Sequence, residues 1–397
     1  MRPDTERDGG GPAGTEREEL RAAVRGLLGR HAASTDLHRQ EPDLAAGDAL
    51  WRRLCAQIGV AGLAIPAQYG GTGAGPVEVH VVMEQLGRSL IPSPMLGSAV
   101  LATEVLLAVG DEAACARLLP GLADGTELAT LAWTTAAGRW DPAEVAATAA
   151  PADASDTWIL TGEAHYVLDG DLASVQLVPA VVANGAIRLF EVRPDQPEVA
   201  RVACTTMDQT RRLAVVRLTG AAGRPIGAAS VGAALDRARA LGCIALSAEQ
   251  VGTAAAALAE TVAYAKVRVQ FGRPIGSFQA LAHRMAEMHV LVESARSLSY
   301  AAAEAAAVGA ADTALRAAAA KAYCSEALQQ VTGEMIQLHG AIGMTWEHSA
   351  HRYFKRAHSS AMLLGTPASY VDAIATAVID PPVSGSTSST EPTHQAQ

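Results

Sequence analysis

The sequence predicts an α+β protein with several domains: an N-terminal helical domain, a small middle β domain and a C-terminal antiparallel four-helix bundle. Three observations lead to this class. Apolar residues recur at three- and four-residue spacing towards both ends of the chain, which indicates helices. Short β-prone runs bounded by Gly, Asp, Asn or Pro occupy the centre. A length of 397 residues with 49% hydrophobic residues is enough for two or three cores.

The N-terminal helical domain is predicted over residues 15–127. Its helical spacing is clear in Leu20, Val24 and Leu27, and again in Val82 and Leu86. The segments 1–14 and 382–397 are rich in Gly, Pro, Ser and Thr, so they bury too little apolar surface to offset the entropy of ordering. We expect both to be disordered tails.

The middle β domain is predicted over residues 128–228. Its candidate strands are Ala129–Thr134, Asp156–Thr161, His165–Leu168, Val175–Val182, Ile187–Val192 and Leu213–Leu218. The helical period returns over residues 229–381 and is interrupted at 272–276, at 308–309 and near Gly340. Helices of roughly 20 residues joined by short turns are typical of an antiparallel bundle.

Composition excludes several classes of function. The net charge of -10 argues against a nucleic-acid partner. No apolar run approaches the roughly 20 residues of a membrane span, and the polar N-terminus does not resemble a secretion signal. We therefore expect a cytoplasmic protein.

Metal and disulfide sites are not predicted either. The five cysteines lack CxxC spacing and are odd in number, which favours buried free thiols. His348, His351 and His358 do not follow a metal-binding pattern.

Three segments carry a resemblance to a known family. They are LWRRLCAQIGVAGLAIPAQYGGTGAG from Leu50 to Gly75, RVQFGRPIG from Arg268 to Gly276, and QLHGAIGMTWEHSAHRYFKRAHSSAMLLGT from Gln337 to Thr366. In content and order they resemble the acyl-CoA dehydrogenases, from about Glu16 to Ile379. The resemblance implies the acyl-CoA dehydrogenase fold, an FAD cofactor and α,β-desaturation of acyl-CoA or a related thioester.

The resemblance also implies which residues contact FAD. In the family, the β domain covers the flavin. A second segment reaches the pyrophosphate and adenosine of a flavin that is bound mainly by a neighbouring subunit. A third segment forms the opposite wall of that shared site. An Arg suits a phosphate because its guanidinium pairs bidentately with the oxygens. The matching residues here are Trp133, Thr134, Tyr166, Arg268, Phe271, Gln337, His339, Gly340 and Thr366. A site shared between subunits implies a dimer or tetramer, and the expected electron acceptor is an electron-transfer flavoprotein or another acceptor.

The catalytic base is missing at both positions that the family uses. Desaturation needs a carboxylate of raised pKa to remove the proton next to the thioester carbonyl. The commonest subgroup has Glu directly before the Gly-Thr that matches Gly365-Thr366, where this chain has Leu364. Another subgroup has its Glu at a position that spacing from Phe271 aligns with Gly242. Glu249, seven residues on and near the same helix face, is the substitute we consider, with Asp236 ranked below it.

One part of the machinery does not depend on the missing side chain. In the family, the backbone N–H at the Glu position polarises the thioester carbonyl together with a flavin ribityl hydroxyl, and Leu364 retains that N–H.

Three hypotheses remain open at this point. The chain is the base-lacking subunit of a hetero-oligomer, whose partner supplies the Glu, as in some bacterial members that TWEHSAHRYFKRA resembles. Alternatively, it is a self-sufficient dehydrogenase with a relocated base such as Glu249. The third hypothesis is a repurposed flavoprotein with a binding role or another redox function.

Overall fold

The protein is described by a computed structural model that covers residues 12–32, 44–152 and 157–379. The predicted tails, 1–14 and 382–397, lie outside the described residues except for 12–14, which belong to the first helix.

Helices form the first part of the described chain: α1 Pro12–Ala32, α2 Leu44–Ile58, α3 Pro76–Ser89, a π-helical segment Met95–Ala102, α4 Thr103–Val109 and α5 Glu112–Ala123. Their apolar faces, with Leu50, Met83 and Leu106, lie in one core. The carboxylate of Asp111 caps α5 by accepting a hydrogen bond from the Ala114 N–H at 3.0 Å. It also accepts one from the Gly227 N–H at 2.9 Å, which ties the helices to the end of the sheet.

The middle of the chain is a seven-stranded sheet: β1 Ala129–Leu131, β2 Ala147–Pro151, β3 Trp158–Leu168, β4 Val175–Val181, β5 Ile187–Val192, β6 Val199–Ala203 and β7 Leu213–Ile226. Strands pair in the order β1-β4-β2-β3-β7-β5, and β5 also pairs with β4, so five strands close into a ring. Leu160, Val178, Phe190 and Val216 are in the buried cluster of this sheet.

Two strands of this sheet, β2 and β6, were not predicted. β2 is ATAAP, and Ala and Pro are depleted in strands, while β6 is exposed along most of its length. Two separately predicted runs form the single strand β3. Its middle contains Gly162, where a Cβ would lie 2.3 Å from the Ala146 oxygen, so only glycine permits this close approach.

The last part of the described chain is the helical bundle: α6 Gly232–Val267, a hairpin of β8 Val269–Gln270 and β9 Arg273–Pro274, α7 Gln279–Ala307, α8 Thr313–His339, α9 Ala350–Met362 and α10 Pro367–Ile379. The predicted interruptions fall between these helices, and the predicted fold class is confirmed. The predicted domain boundaries stay predictions, with strands lying between residues 129 and 226.

Helix α6 is the centre of the molecule and packs on α3, α7 and α8. Two glycines allow α3 to approach it: a Cβ at Gly252 would lie 1.9 Å from the Glu84 oxygen, and one at Gly87 would lie 2.0 Å from the Glu249 oxygen. Helix α6 is long and apolar enough to span a membrane. However, 89% of its most apolar 18-residue stretch is buried inside the protein, as expected of a core helix.

The cysteines are free thiols. Cys55, Cys115, Cys243 and Cys324 are buried, as predicted, whereas Cys204 is only partly buried.

Candidate active site

The loop between α9 and α10 holds Leu364 in an unusual conformation. Its φ is 62°, in the left-handed region that a non-glycine residue rarely adopts, and the residue is fully buried. Its N–H makes no hydrogen bond to any residue in the described part of the chain. A buried N–H without a partner is rare and is available to bind a ligand oxygen.

Gly242 and Leu364, which the resemblance assigns to the two base positions, lie next to each other and are surrounded by apolar groups. A Cβ at Gly242 would lie 3.0 Å from Cδ1 of Leu364 and 2.6 Å from Cδ2 of Leu101 in the π-helical segment. The two positions that the resemblance assigns to the base, Gly242 and Leu364, therefore lie at one location. The space where a carboxylate would stand is closed by two leucine side chains.

Glu249 lies in a buried cluster of ion pairs. Its Oε1 accepts hydrogen bonds from Arg211 Nη2 and Arg356 Nη1, each at 2.5 Å. Arg356 also lies 3.0 Å from Oδ2 of Asp208. Burial alone raises the pKa of the Glu249 carboxyl, but the two guanidinium groups outweigh it, so the pKa is lowered. This carboxylate stays ionised and its Oε1 is shared by two cations, an arrangement suited to holding helices together rather than to accepting a proton.

Asp169, at the end of β3, is a second buried carboxyl that sequence reasoning missed. It is 7% exposed and lines a cavity together with Leu96, Leu168, Arg211 and Glu249. Its side chain makes no hydrogen bond to the described residues. Burial raises its pKa to about 7. The run Leu168-Asp169-Gly170-Asp171 looks like an ordinary turn, and nothing in the sequence indicates that this carboxyl faces a cavity.

The predicted flavin-facing residues of the sheet differ in exposure. Trp133 is fully buried, and its indole N–H donates to the Asp141 oxygen at 3.2 Å. Thr134 is also buried and donates to the His165 oxygen at 2.6 Å. Tyr166 is 41% exposed with a φ of 54°. Of these three side chains, that of Tyr166 is the one at the surface.

The hairpin after α6 presents Arg268 and Phe271 to the outside. Phe271 is 93% exposed at a φ of 52°, and Arg268 is exposed with no hydrogen bond or ion pair from its side chain to any residue that the structure describes. An exposed ring and a free guanidinium on this hairpin are suited to a ligand or partner surface.

The end of α8 lies beside the end of α6. His339 stacks on Tyr264 with ring centroids 4.4 Å apart, and its Nδ1–H donates to the Met335 oxygen at 2.7 Å. The other ring nitrogen, Nε2, is buried and has no partner among the described residues. Gly340 has φ 64° and ψ -145°, a conformation open essentially to glycine alone. Gln337 is exposed one turn earlier.

Thr366 has a local structural role. Its Oγ1 accepts a hydrogen bond from the Ser369 N–H at 3.2 Å, in the first turn of α10. Gly365 and Thr366 are half-buried beside Leu364.

These residues fit an FAD. The free guanidinium of Arg268, the exposed ring of Phe271 and the unpartnered Nε2 of His339 are a cation, an aromatic surface and a polar atom of the kinds that suit phosphate, adenine and a polar ligand group. Tyr166, Phe271 and Leu364 are three of the five non-glycine residues with positive φ in the described ranges, and strained backbone clusters at functional sites. The described residues contain no group of three or more metal-binding side chains.

Comparisons with known proteins show the family. Residues 14–126 match the model of the acyl-CoA dehydrogenase N-terminal domain, and residues 226–379 match that of the C-terminal domain. The chain is 38% identical over 356 residues to the acyl-CoA dehydrogenase IpdE2 of Mycolicibacterium smegmatis. The aligned region covers 89% of this chain and 95% of that protein.

Solved structures are similar over almost their whole length. The ChsE4-ChsE5 complex from Mycobacterium tuberculosis matches with a TM-score of 0.80 at 28% identity, over 92% of this chain and 98% of the other. The Tcur3481-Tcur3483 steroid ACAD matches with a TM-score of 0.79 at 30% identity, over the same shares of the two chains. The chain therefore belongs to the acyl-CoA dehydrogenase family, whose members are FAD-dependent oxidoreductases that act on CH–CH bonds.

Proposed function

We propose that this chain is one subunit of a hetero-oligomeric acyl-CoA dehydrogenase, and that a homologous partner chain carries the carboxylate that removes the α-proton. The observation that carries this proposal is the apolar filling of both base positions by Leu364 and Leu101 next to Gly242. Leucine cannot accept a proton. The similar ChsE4-ChsE5 structure is a complex of two chains, which supports a heteromeric assembly.

FAD, when bound, supplies the hydride acceptor for the desaturation. In this chain, Arg268 would pair with the pyrophosphate and Phe271 would cover the adenosine of a flavin shared with the neighbouring subunit. Gln337, His339 and Gly340 would form the opposite wall. Tyr166 and the main chain of Trp133, Thr134 and Thr366 would line the flavin of this subunit.

The chain retains one group for the substrate. The buried, unpaired N–H of Leu364 would donate to the thioester carbonyl of an acyl-CoA or a related thioester. We further propose a cytoplasmic location and an electron-transfer flavoprotein or another protein as the electron acceptor.

The test is co-expression with a homologous chain that has Glu before its Gly-Thr. We expect the pair to bleach its flavin band anaerobically with one of a set of short, medium, branched and bulky acyl-CoAs, and the lone chain to bleach with none. Arg268→Ala in this chain should lower the flavin content of the pair, because the guanidinium would hold the pyrophosphate. A flavin band that shifts without bleaching in the pair would instead support a binding role.

A second candidate is a self-sufficient dehydrogenase that uses Asp169. The observation that favours it is a cavity-facing carboxyl with a raised pKa and no hydrogen bond to the described residues, which Glu249 does not match. Asp169→Asn should abolish flavin bleaching by the lone chain under this candidate. If the pair bleaches normally with Asp169→Asn and the wild-type lone chain does not bleach, this candidate is wrong.

A further inference from the structure

We infer that Tyr370 is a positioning residue that, with Cys243 and Lys321, holds the Leu364 N–H in the orientation needed to bind a thioester carbonyl. This inference rests on the proposed function in one respect, namely that the Leu364 loop contacts the thioester. It adds three residues from three helices that the resemblance does not assign.

Tyr370 fixes one side of the loop. Its hydroxyl donates to the Leu364 carbonyl at 2.5 Å, and its Oη lies 3.0 Å from Sγ of Cys243. Because the tyrosine proton is used on the carbonyl, the thiol is the donor in the second contact. Burial raises the pKa of both Cys243 and Tyr370, so both keep their protons at neutral pH. The resulting chain of hydrogen bonds joins α6, beside Gly242, to the Leu364 peptide.

Lys321 fixes the other side. Its buried Nζ donates to the Ala361 oxygen at 2.9 Å and to the Ser360 oxygen at 3.3 Å, the last turn of α9. A cation at the C-terminal end of a helix is favourable because the last carbonyls lack partners. Hydrogen bonds thus hold both the residues just before Leu364 and the Leu364 carbonyl.

We infer that these contacts maintain the left-handed conformation of Leu364. A leucine released from them would relax to negative φ, which rotates its N–H relative to its carbonyl. The next residue has to be glycine, since its φ is 113° and a Cβ there would lie 3.0 Å from Cε2 of Tyr370. Leu364 is strained although its side chain cannot act as a base, so we assign the strain to the backbone rather than to the side chain.

The alternative is that Tyr370 only anchors α10, in which every described residue is half-buried or exposed. The two roles differ in what they affect. An anchor affects the binding of every ligand at this loop, whereas a positioning residue affects ligands that have a carbonyl.

The experiment compares butyryl-CoA with S-butyl-CoA, the thioether that lacks only the carbonyl oxygen, by calorimetric titration of the flavin-containing protein, with its partner present if flavin binding needs it. We expect the wild type to bind the thioester more tightly. Tyr370→Phe should reduce that preference about three- to tenfold, the size of one hydrogen bond, and leave the thioether affinity unchanged. The carbonyl stretch of bound [1-¹³C]butyryl-CoA should move towards its value in water.

Three further variants complete the test. Tyr323→Phe removes a phenol that makes no hydrogen bond to the described residues, and it should change neither affinity. Cys243→Ser keeps a donor and should preserve the preference. Cys243→Ala should reduce it partly, and this variant carries the test if Tyr370→Phe does not fold.

Equal weakening of both ligands by Tyr370→Phe, or no change in either, would overturn the inference and leave the proposed hetero-oligomer intact. A wild type with no preference for the thioester would overturn both the inference and the proposed role of the Leu364 N–H. Flavin bleaching by the co-expressed pair tests the proposed function separately.

Discussion

Replacing Glu249 with Gln separates a structural carboxylate from a catalytic one. Oε1 of Glu249 accepts two guanidinium hydrogen bonds, from Arg211 and Arg356, and these side chains are 7% and 4% exposed. Gln keeps the shape and one acceptor but removes the charge, which leaves Asp208 as the remaining acid in direct contact with Arg356. Breaking a buried pair by neutralising one partner costs about 3–5 kcal/mol, so we expect Glu249→Gln to lower the free energy of unfolding by about 3 kcal/mol.

The assay is urea unfolding followed by circular dichroism, with flavin bleaching of the co-expressed pair measured on the folded protein. Asp236→Asn is the matched control, because Asp236 pairs with Arg239 at the surface with 56% of its side chain exposed. It should change the unfolding free energy by less than about 0.5 kcal/mol. A Glu249→Gln protein as stable as the wild type but slower in bleaching by roughly 10²-fold or more would refute this reasoning and identify Glu249 as the base.

Two other predictions follow from buried groups near the core of the bundle. His80 is fully buried, its ring nitrogen lies 2.8 Å from the Ser299 hydroxyl, and burial lowers its pKa from 6.5 to about 4. The unfolded chain therefore takes up a proton that the folded chain does not, and stability is lost between pH 6.5 and about 4. The loss should be about 2 kcal/mol at pH 5 relative to pH 7.5, and His80→Gln should remove this part of the pH dependence in urea titrations; an unchanged pH dependence would contradict it. Gly252→Ala should destabilise the protein by about 1–3 kcal/mol, because the new Cβ would overlap the Glu84 oxygen. Gly333→Ala, which has open space around its Cβ, should stabilise the protein by about 0.5–1 kcal/mol. Thermal melts that rank the two variants in the reverse order would show that α3 and α6 can separate without cost.

Much of the fold could be predicted because helical spacing and turn residues are local signals. The breaks at Gly272 and near Gly340 show where the helices end. The strand β2 could not be predicted, since ATAAP has low intrinsic strand preference and forms only because β3 and β4 provide partners on both sides.

The candidate site was predictable where a motif carries it and not where side chains from distant segments meet. Spacing from Phe271 aligned Gly242 with the second base position, and the structure brings Gly242 next to Leu364. Glu249 was a plausible base on the helix face, but its two arginine partners lie 38 and 107 residues away along the chain, so its ionised state is a property of the tertiary structure. Asp169 and Tyr370 have no motif, and their surroundings emerge only when the helices and the sheet pack together.

The measurement that tests the central claim most directly is the anaerobic visible spectrum of this chain alone and of the co-expressed pair, before and after each acyl-CoA of the set. We expect the pair to be bleached by one thioester, a Glu→Gln change in the partner to abolish the bleaching, and this chain alone never to be bleached. Bleaching of the flavin of the lone chain would contradict the account, because it would show that a proton acceptor exists within this chain despite Leu364.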